Sequence, residues 1–108
     1  MSTIYLIDID GTVCEDIPNE ESARFLTAKI IPGAKEWVNK FNLEGQVWFF
    51  TARTDKHKKA TEQWLDKQGF QYLGVVYGKP RINANQEYHW IDNRPVQATW
   101  VEDGLIKI

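Results

Sequence analysis

Ile4-Tyr5-Leu6-Ile7-Asp8-Ile9-Asp10-Gly11-Thr12 is a short apolar run that closes on two carboxylates, a glycine and a hydroxyl. Continuous apolar sequence without polar alternation reads as a strand buried on both faces, as in a parallel sheet. Its polar groups then stand at the C-terminal end. Side chains two residues apart on a strand point to the same side, so Asp8 and Asp10 are expected together. An isolated Asp-Gly-Thr would be an ordinary turn. Carboxylates beside a buried strand are costly unless paired or metal-bound, so this pair reads as a site.

Working outward, residues 13–28 are mixed, with Glu15, Asp16, Glu20, Glu21 and Pro18, and read as a loop or flap with one helical turn around Ser22–Ala28. Pro32-Gly33 opens a helix in which Ala34, Trp37, Val38 and Phe41 recur at helical spacing, and Asn42 to Gly45 supplies the stop. Val47-Trp48-Phe49-Phe50-Thr51 is a second buried strand, β-branched and aromatic, ending on a hydroxyl. Thr54 or Asp55 can cap the next helix, which buries Ala60, Trp64 and Leu65 and ends at Gly69. Leu73–Tyr77 is expected as a third strand before Gly78-Lys79-Pro80, and Tyr88–Ile91 as a fourth before Asp92. Glu102-Asp103-Gly104 between apolar runs suggests a C-terminal hairpin over residues 98–108.

Strands alternating with helices predict an α/β fold: one Rossmann-like domain over residues 1–108, with a mostly parallel central sheet between two helical layers. In such sheets the ligand crevice lies outside the C-terminal ends of the strands. Asp8 and Asp10, Thr51, Lys79 and Asp92 each end or follow an expected strand, so all should converge there.

Composition narrows the class. The chain has 108 residues, 43% hydrophobic and 26% charged, as a single globular domain has. A net charge of -2 gives no reason to expect strong nucleic-acid or membrane-surface binding. No apolar run approaches the ~20 residues that span a bilayer. The single Cys14 cannot form an internal disulfide, and no leader-like segment precedes the first strand, which suits a cytoplasmic setting. Five tryptophans are read as bulky core filling.

Asp8-Ile9-Asp10-Gly11-Thr12 resembles the first signature of the haloacid dehalogenase superfamily, Asp-x-Asp-Gly-Thr. Thr51 in Phe50-Thr51-Ala52-Arg53 resembles the second, Lys79 in Gly78-Lys79-Pro80 the third, and Asp92 in Ile91-Asp92-Asn93-Arg94 the fourth. Each is weak alone; the ordered set is specific, and it covers roughly residues 4–101. The resemblance implies a magnesium-dependent phosphatase in which Asp8 attacks phosphorus and Asp10 serves as acid and then base. It further implies that Thr51 holds a phosphoryl oxygen and Lys79 neutralises the transferring group. Gly11, Thr12, Ala52 and Arg53 would line the substrate. Asp8, Asp10 (through its main-chain carbonyl) and Asp92 would hold Mg²⁺, which favours hard oxygen donors. Where many relatives carry a second acid, this chain has Asn93, which adds no charge; Glu87 is an acid nearby in sequence.

Larger members of the superfamily carry a cap domain. Here the stretches between Asp10 and Thr51, and between Thr51 and Lys79, are used up by flap, helices and strands. The expected site is therefore capless and open to a large phosphorylated substrate, such as a sugar phosphate or the 3′-phosphate of a polynucleotide. A neighbouring subunit could cover it in a homo-oligomer. Competing readings are phosphoryl transfer on the same scaffold, a catalytically weak phosphate- or protein-binding module, and a receiver domain. The last is disfavoured because its phosphorylated Asp ends a later strand. Arg81, Arg94, His57, His89 and Lys56, Lys58 and Lys59 read as surface or structural groups, and Cys14 lacks a His partner for thiol chemistry.

Overall fold

Ile4–Ile7 (β1), Gln46–Phe50 (β2) and Gly74–Val76 (β3) form a parallel three-stranded sheet in the order β1-β2-β3. The computed structural model describes residues 2–102 and 105–106. Register pairs Tyr5 with Val47 and Ile7 with Phe49, so these side chains share one face. That face carries the core: Val47 and Phe49 are fully buried, each worth about 1.5–3 kcal/mol of apolar transfer.

Two helices cover it. Ala34–Glu44 (α1) follows Gly33 and sends Phe41 onto Tyr5, ring centroids 4.5 Å apart and nearly parallel. Lys58–Gln68 (α2) buries Trp64 and Leu65, and Phe70 just beyond it packs against Trp64 and, edge to face, against Phe49. The expected boundaries of α1 are met within two residues. α2 is preceded by a 3-10 turn over Asp55–His57, and neither Thr54 nor any other side chain caps it. Its end matches expectation: the Gly69 N–H donates to the carbonyls of Leu65 and Asp66. Asn39 of α1 then donates to the Gly69 carbonyl and accepts from Gln71 N–H, locking α1 to the α2–β3 connection.

Residues 10–31 are better packed than a flap. Glu15 N–H donates to the Lys29 carbonyl and Ile31 N–H to that of Val13, so the two limbs of this excursion pair. Val13, Cys14, Ile17 and Phe25 are fully buried beneath it. Its 3-10 segment, Asn19–Thr27, lies on α2, where Trp64 Nε1–H donates to the Ala28 carbonyl at 2.9 Å.

Two expectations are corrected. Tyr88–Ile91 forms no strand: Trp90 turns to donate to Asp92, and Arg94 N–H donates to the same carboxylate, so local side-chain bonds replace ladder pairing. The second helical layer is also missing among the described residues. Residues 80–100 contribute no helix, and the opposite sheet face leaves Ile4, Leu6 and Val76 exposed. The C-terminal hairpin is present as Val101–Glu102 (β4) antiparallel to Leu105–Ile106 (β5), its turn lying outside the described residues. No helix is long and apolar enough to cross a membrane, among the described residues.

Candidate active site

The C-terminal ends of β1, β2 and β3 meet in one place because the strands are parallel. Pairing continues past β2 and β3: Thr51 N–H donates to Val76, Lys79 N–H to Thr51 and Gly78 N–H to Arg53. That zipper sets Lys79 beside Asp8, with Nζ 3.6 Å from Oδ1. The other Asp8 oxygen accepts the Thr12 hydroxyl at 3.1 Å. Burial pushes the Asp8 carboxyl above its ordinary range, opposed by Lys79 and by the Thr12 bond. Its side chain is still 34% exposed, so one carboxylate oxygen can meet a ligand. Lys79 also lies over the rings of Tyr88 and Phe50, at 4.6 and 5.6 Å.

Asp10 faces a different cation. Arg53 Nε donates to Oδ2 at 2.9 Å and Nη2 to Oδ1 at 2.7 Å, the fork-on-fork geometry of a strong pair. Arg53 was expected to touch substrate, but its side chain is wholly inaccessible. Its Nη1 donates to Thr61 Oγ1 at 3.1 Å, and the Phe25 ring lies 3.8 Å from its guanidinium carbon. Cys14 Sγ sits within 3.6 Å of Asp10 Oδ1, where burial, and secondarily Asp10, push its thiol far up and leave it a poor nucleophile.

The remaining expected residues divide. Thr51 is fully buried and its Oγ1 accepts from Arg53 N–H, leaving the hydroxyl proton for another acceptor. The Ala52 carbonyl accepts from Asn19 at 3.4 Å, which anchors the start of the 3-10 segment to the site. Gly11 N–H donates to Cys14, holding the turn after Asp10 closed. Asp92 is carried by a loop, not a strand, whose Tyr88 and Trp90 lie against Lys79 and Phe50; Trp90 and Arg94 N–H of that loop hold its carboxylate and lower its pKa. No group of three acidic, His or Cys side chains is placed to share a metal, among the described residues. The donor set therefore fits Mg²⁺ in part. Asp8 offers an accessible hard oxygen, as a cation held by one or two carboxylates, waters and phosphate requires. The Asp10 carboxylate is committed to Arg53, and the Asp92 carboxylate accepts from Trp90 and Arg94 of its own loop.

Sequence reasoning missed Phe25 and Thr61. Nothing in the flap marks Phe25. Thr61 carried a signal, since it sits three and four residues before the buried Trp64 and Leu65, on the face where α2 should be apolar.

Comparison with family models finds no match, and comparison with curated proteins finds none either. Among solved structures, the chain is similar to a crystal structure of a structural-genomics target from Vibrio cholerae. The TM-score is 0.63 at 21% identity, over 89% of this chain and 83% of that one. Such a likeness supports the α/β fold alone.

Proposed function

We propose that this chain is a small capless hydrolase of the haloacid dehalogenase type that cleaves phosphomonoesters through Asp8. The observation that carries the reading is the Asp8–Lys79 arrangement: a partly accessible carboxylate, opposed by a lysine at 3.6 Å, at the C-terminal ends of three parallel strands. An Asp8 oxygen forms the bond to phosphorus, the ester P–O bond breaks, and Asp10 gives the leaving oxygen its proton. Water then cleaves the aspartyl-phosphate, Asp10 takes back a proton, and phosphate leaves. Lys79 neutralises charge as one anion approaches another. Asp8, with the main-chain carbonyl of Asp10, would hold Mg²⁺, which when bound supplies electrostatic stabilisation of the phosphoryl oxygens.

The test is phosphate release from an aryl phosphate, sugar phosphates and 3′- and 5′-phosphorylated oligonucleotides, with Mg²⁺ and with EDTA. Release lost in Asp8→Asn, and lost with EDTA, supports the reading. Release that survives Asp8→Asn overturns it. One observation favours a second reading, a phosphate-binding module with weak catalysis: both oxygens of the Asp10 carboxylate are engaged by Arg53. Binding of inorganic phosphate without turnover of any ester would select it.

A further inference from the structure

The Asp10–Arg53 pair is built unlike a substrate-binding contact. Arg53 is inaccessible to solvent, and a buried guanidinium is costly unless its charge is paired and its N–H groups find acceptors. Its charge is paired with Asp10. Two N–H groups fork onto Asp10, a third goes to Thr61 on α2, and the Phe25 ring from the 3-10 segment covers its flat face. Three separate parts of the chain thus fix one side chain, and that side chain fixes Asp10 through both its oxygens. The Asp10 side chain keeps 12% exposure, so it is held at the surface of the site by a support that lies beneath it.

We propose that Arg53 is a positioning residue: it orients Asp10 for proton delivery to the leaving group and never touches substrate. The inference rests on the phosphatase reading above and adds a role for a residue that reading leaves idle. A proton donor works only when held within about half an ångström of its productive geometry, and a two-pronged clamp on the Asp10 carboxyl does that. Arg53 then matters only where the leaving oxygen needs a proton. An alkoxide does; a dinitrophenolate, which is stable as an anion, does not.

The experiment compares single-turnover release of alcohol from an alkyl phosphate with release of phenol from 2,4-dinitrophenyl phosphate, for wild type, Arg53→Gln, Arg53→Lys, Thr61→Val and Asp10→Asn. General-acid catalysis contributes about 10²–10⁴-fold, so Arg53→Gln is expected to slow alkyl release about 100-fold or more and phenol release far less. KM should hold for both esters. Arg53→Gln and Asp10→Asn should combine to little more than either alone, since both remove one function. Thr61→Val should show a weaker form of the same bias. An equal loss on both esters overturns the proposal, and so does a raised KM with unchanged first-turnover rate, which would make Arg53 a phosphate contact. Circular dichroism checks folding. If Arg53→Gln unfolds, Arg53→Lys and Thr61→Val decide, because each keeps a charge in place while loosening the clamp. Wild type silent on both esters would fail the phosphatase reading itself, and the positioning role with it.

Discussion

A single methyl group at Gly45 tests the seam on which the sheet is assembled. Gly45 ends α1, its N–H donating to the Phe41 carbonyl, and Gln46 immediately begins β2 by donating to the Thr3 carbonyl at 2.9 Å. A Cβ built at Gly45 falls 2.2 Å from that Thr3 oxygen and 3.2 Å from the Tyr5 ring. Its φ of -168° is open to any residue, so the constraint is contact, not conformation. Relief requires the strands to part by about 1 Å at their first pair. That sacrifices a hydrogen bond worth about 1 kcal/mol and adds overpacking of about 1–3 kcal/mol. Gly45→Ala should therefore lose about 2–4 kcal/mol, roughly 8–16 °C in thermal midpoint for a domain of this size. Gly33→Ala is the internal control. There a Cβ meets nothing within 4 Å, but φ is +87°, so only left-handed strain of about 1 kcal/mol is expected. Urea denaturation followed by far-ultraviolet circular dichroism reads both, with unchanged slope confirming the same unfolded state. Equal losses in the two variants would refute the close-approach argument.

Asp8→Asn should lose activity yet gain stability. Burial raises the Asp8 carboxyl, so the folded chain keeps that proton to higher pH than the unfolded chain does. The group's contribution to stability therefore falls as pH rises from the ordinary carboxylate range through the raised value. Above that window the variant should exceed wild type by up to about 1 kcal/mol, a modest figure because the side chain is partly solvated, and the gap should close in acid. Matched thermal melts across pH check it, and a gap that widens in acid would contradict it. Trp64→Phe leaves the Ala28 carbonyl without its donor and a gap beside Phe70, costing about 2–4 kcal/mol by urea denaturation. Loss of under 1 kcal/mol would mean that the 3-10 segment does not depend on this anchor. In the assay of ester hydrolysis, Lys79→Ala is expected to lower kcat by about 10²–10³-fold, the usual loss of one charge-stabilising group. Lys79→Arg should recover part of it.

The elements most readable in sequence were those whose pattern is set by burial within a short window. β1 and β2 follow from short continuous apolar runs and both helices from apolar periodicity, and Gly69 marks the end of α2 because its left-handed φ lets its N–H meet the last carbonyls. The Asp8–Lys79 meeting was readable too, since parallel strands bring their C-terminal ends together whatever the loops do. Tyr88–Ile91 was not: its residues have strand propensity, but Asp92 and Trp90 satisfy one another locally, and propensity alone does not pair a strand. Arg53 was misassigned for a related reason. Its place beside Thr51 suggested a surface contact, whereas the partners that bury it, Phe25 and Thr61, come from segments whose approach no local pattern encodes.

Parallel pairing of β1 with β2 also governs the order in which this site can come into being. Ile4 pairs with Gln46, and Trp48 with Gly74, so no sheet contact forms until the chain has closed a long loop around each helix. Loop closure costs entropy before any strand contact repays it, so α1 and α2 have reason to form first and the sheet afterwards. During synthesis, Asp8 emerges early and waits for Thr51 and then Lys79, each delivered by a later strand. A nascent chain stopped before residue 79 would carry the carboxylates without the lysine that faces them.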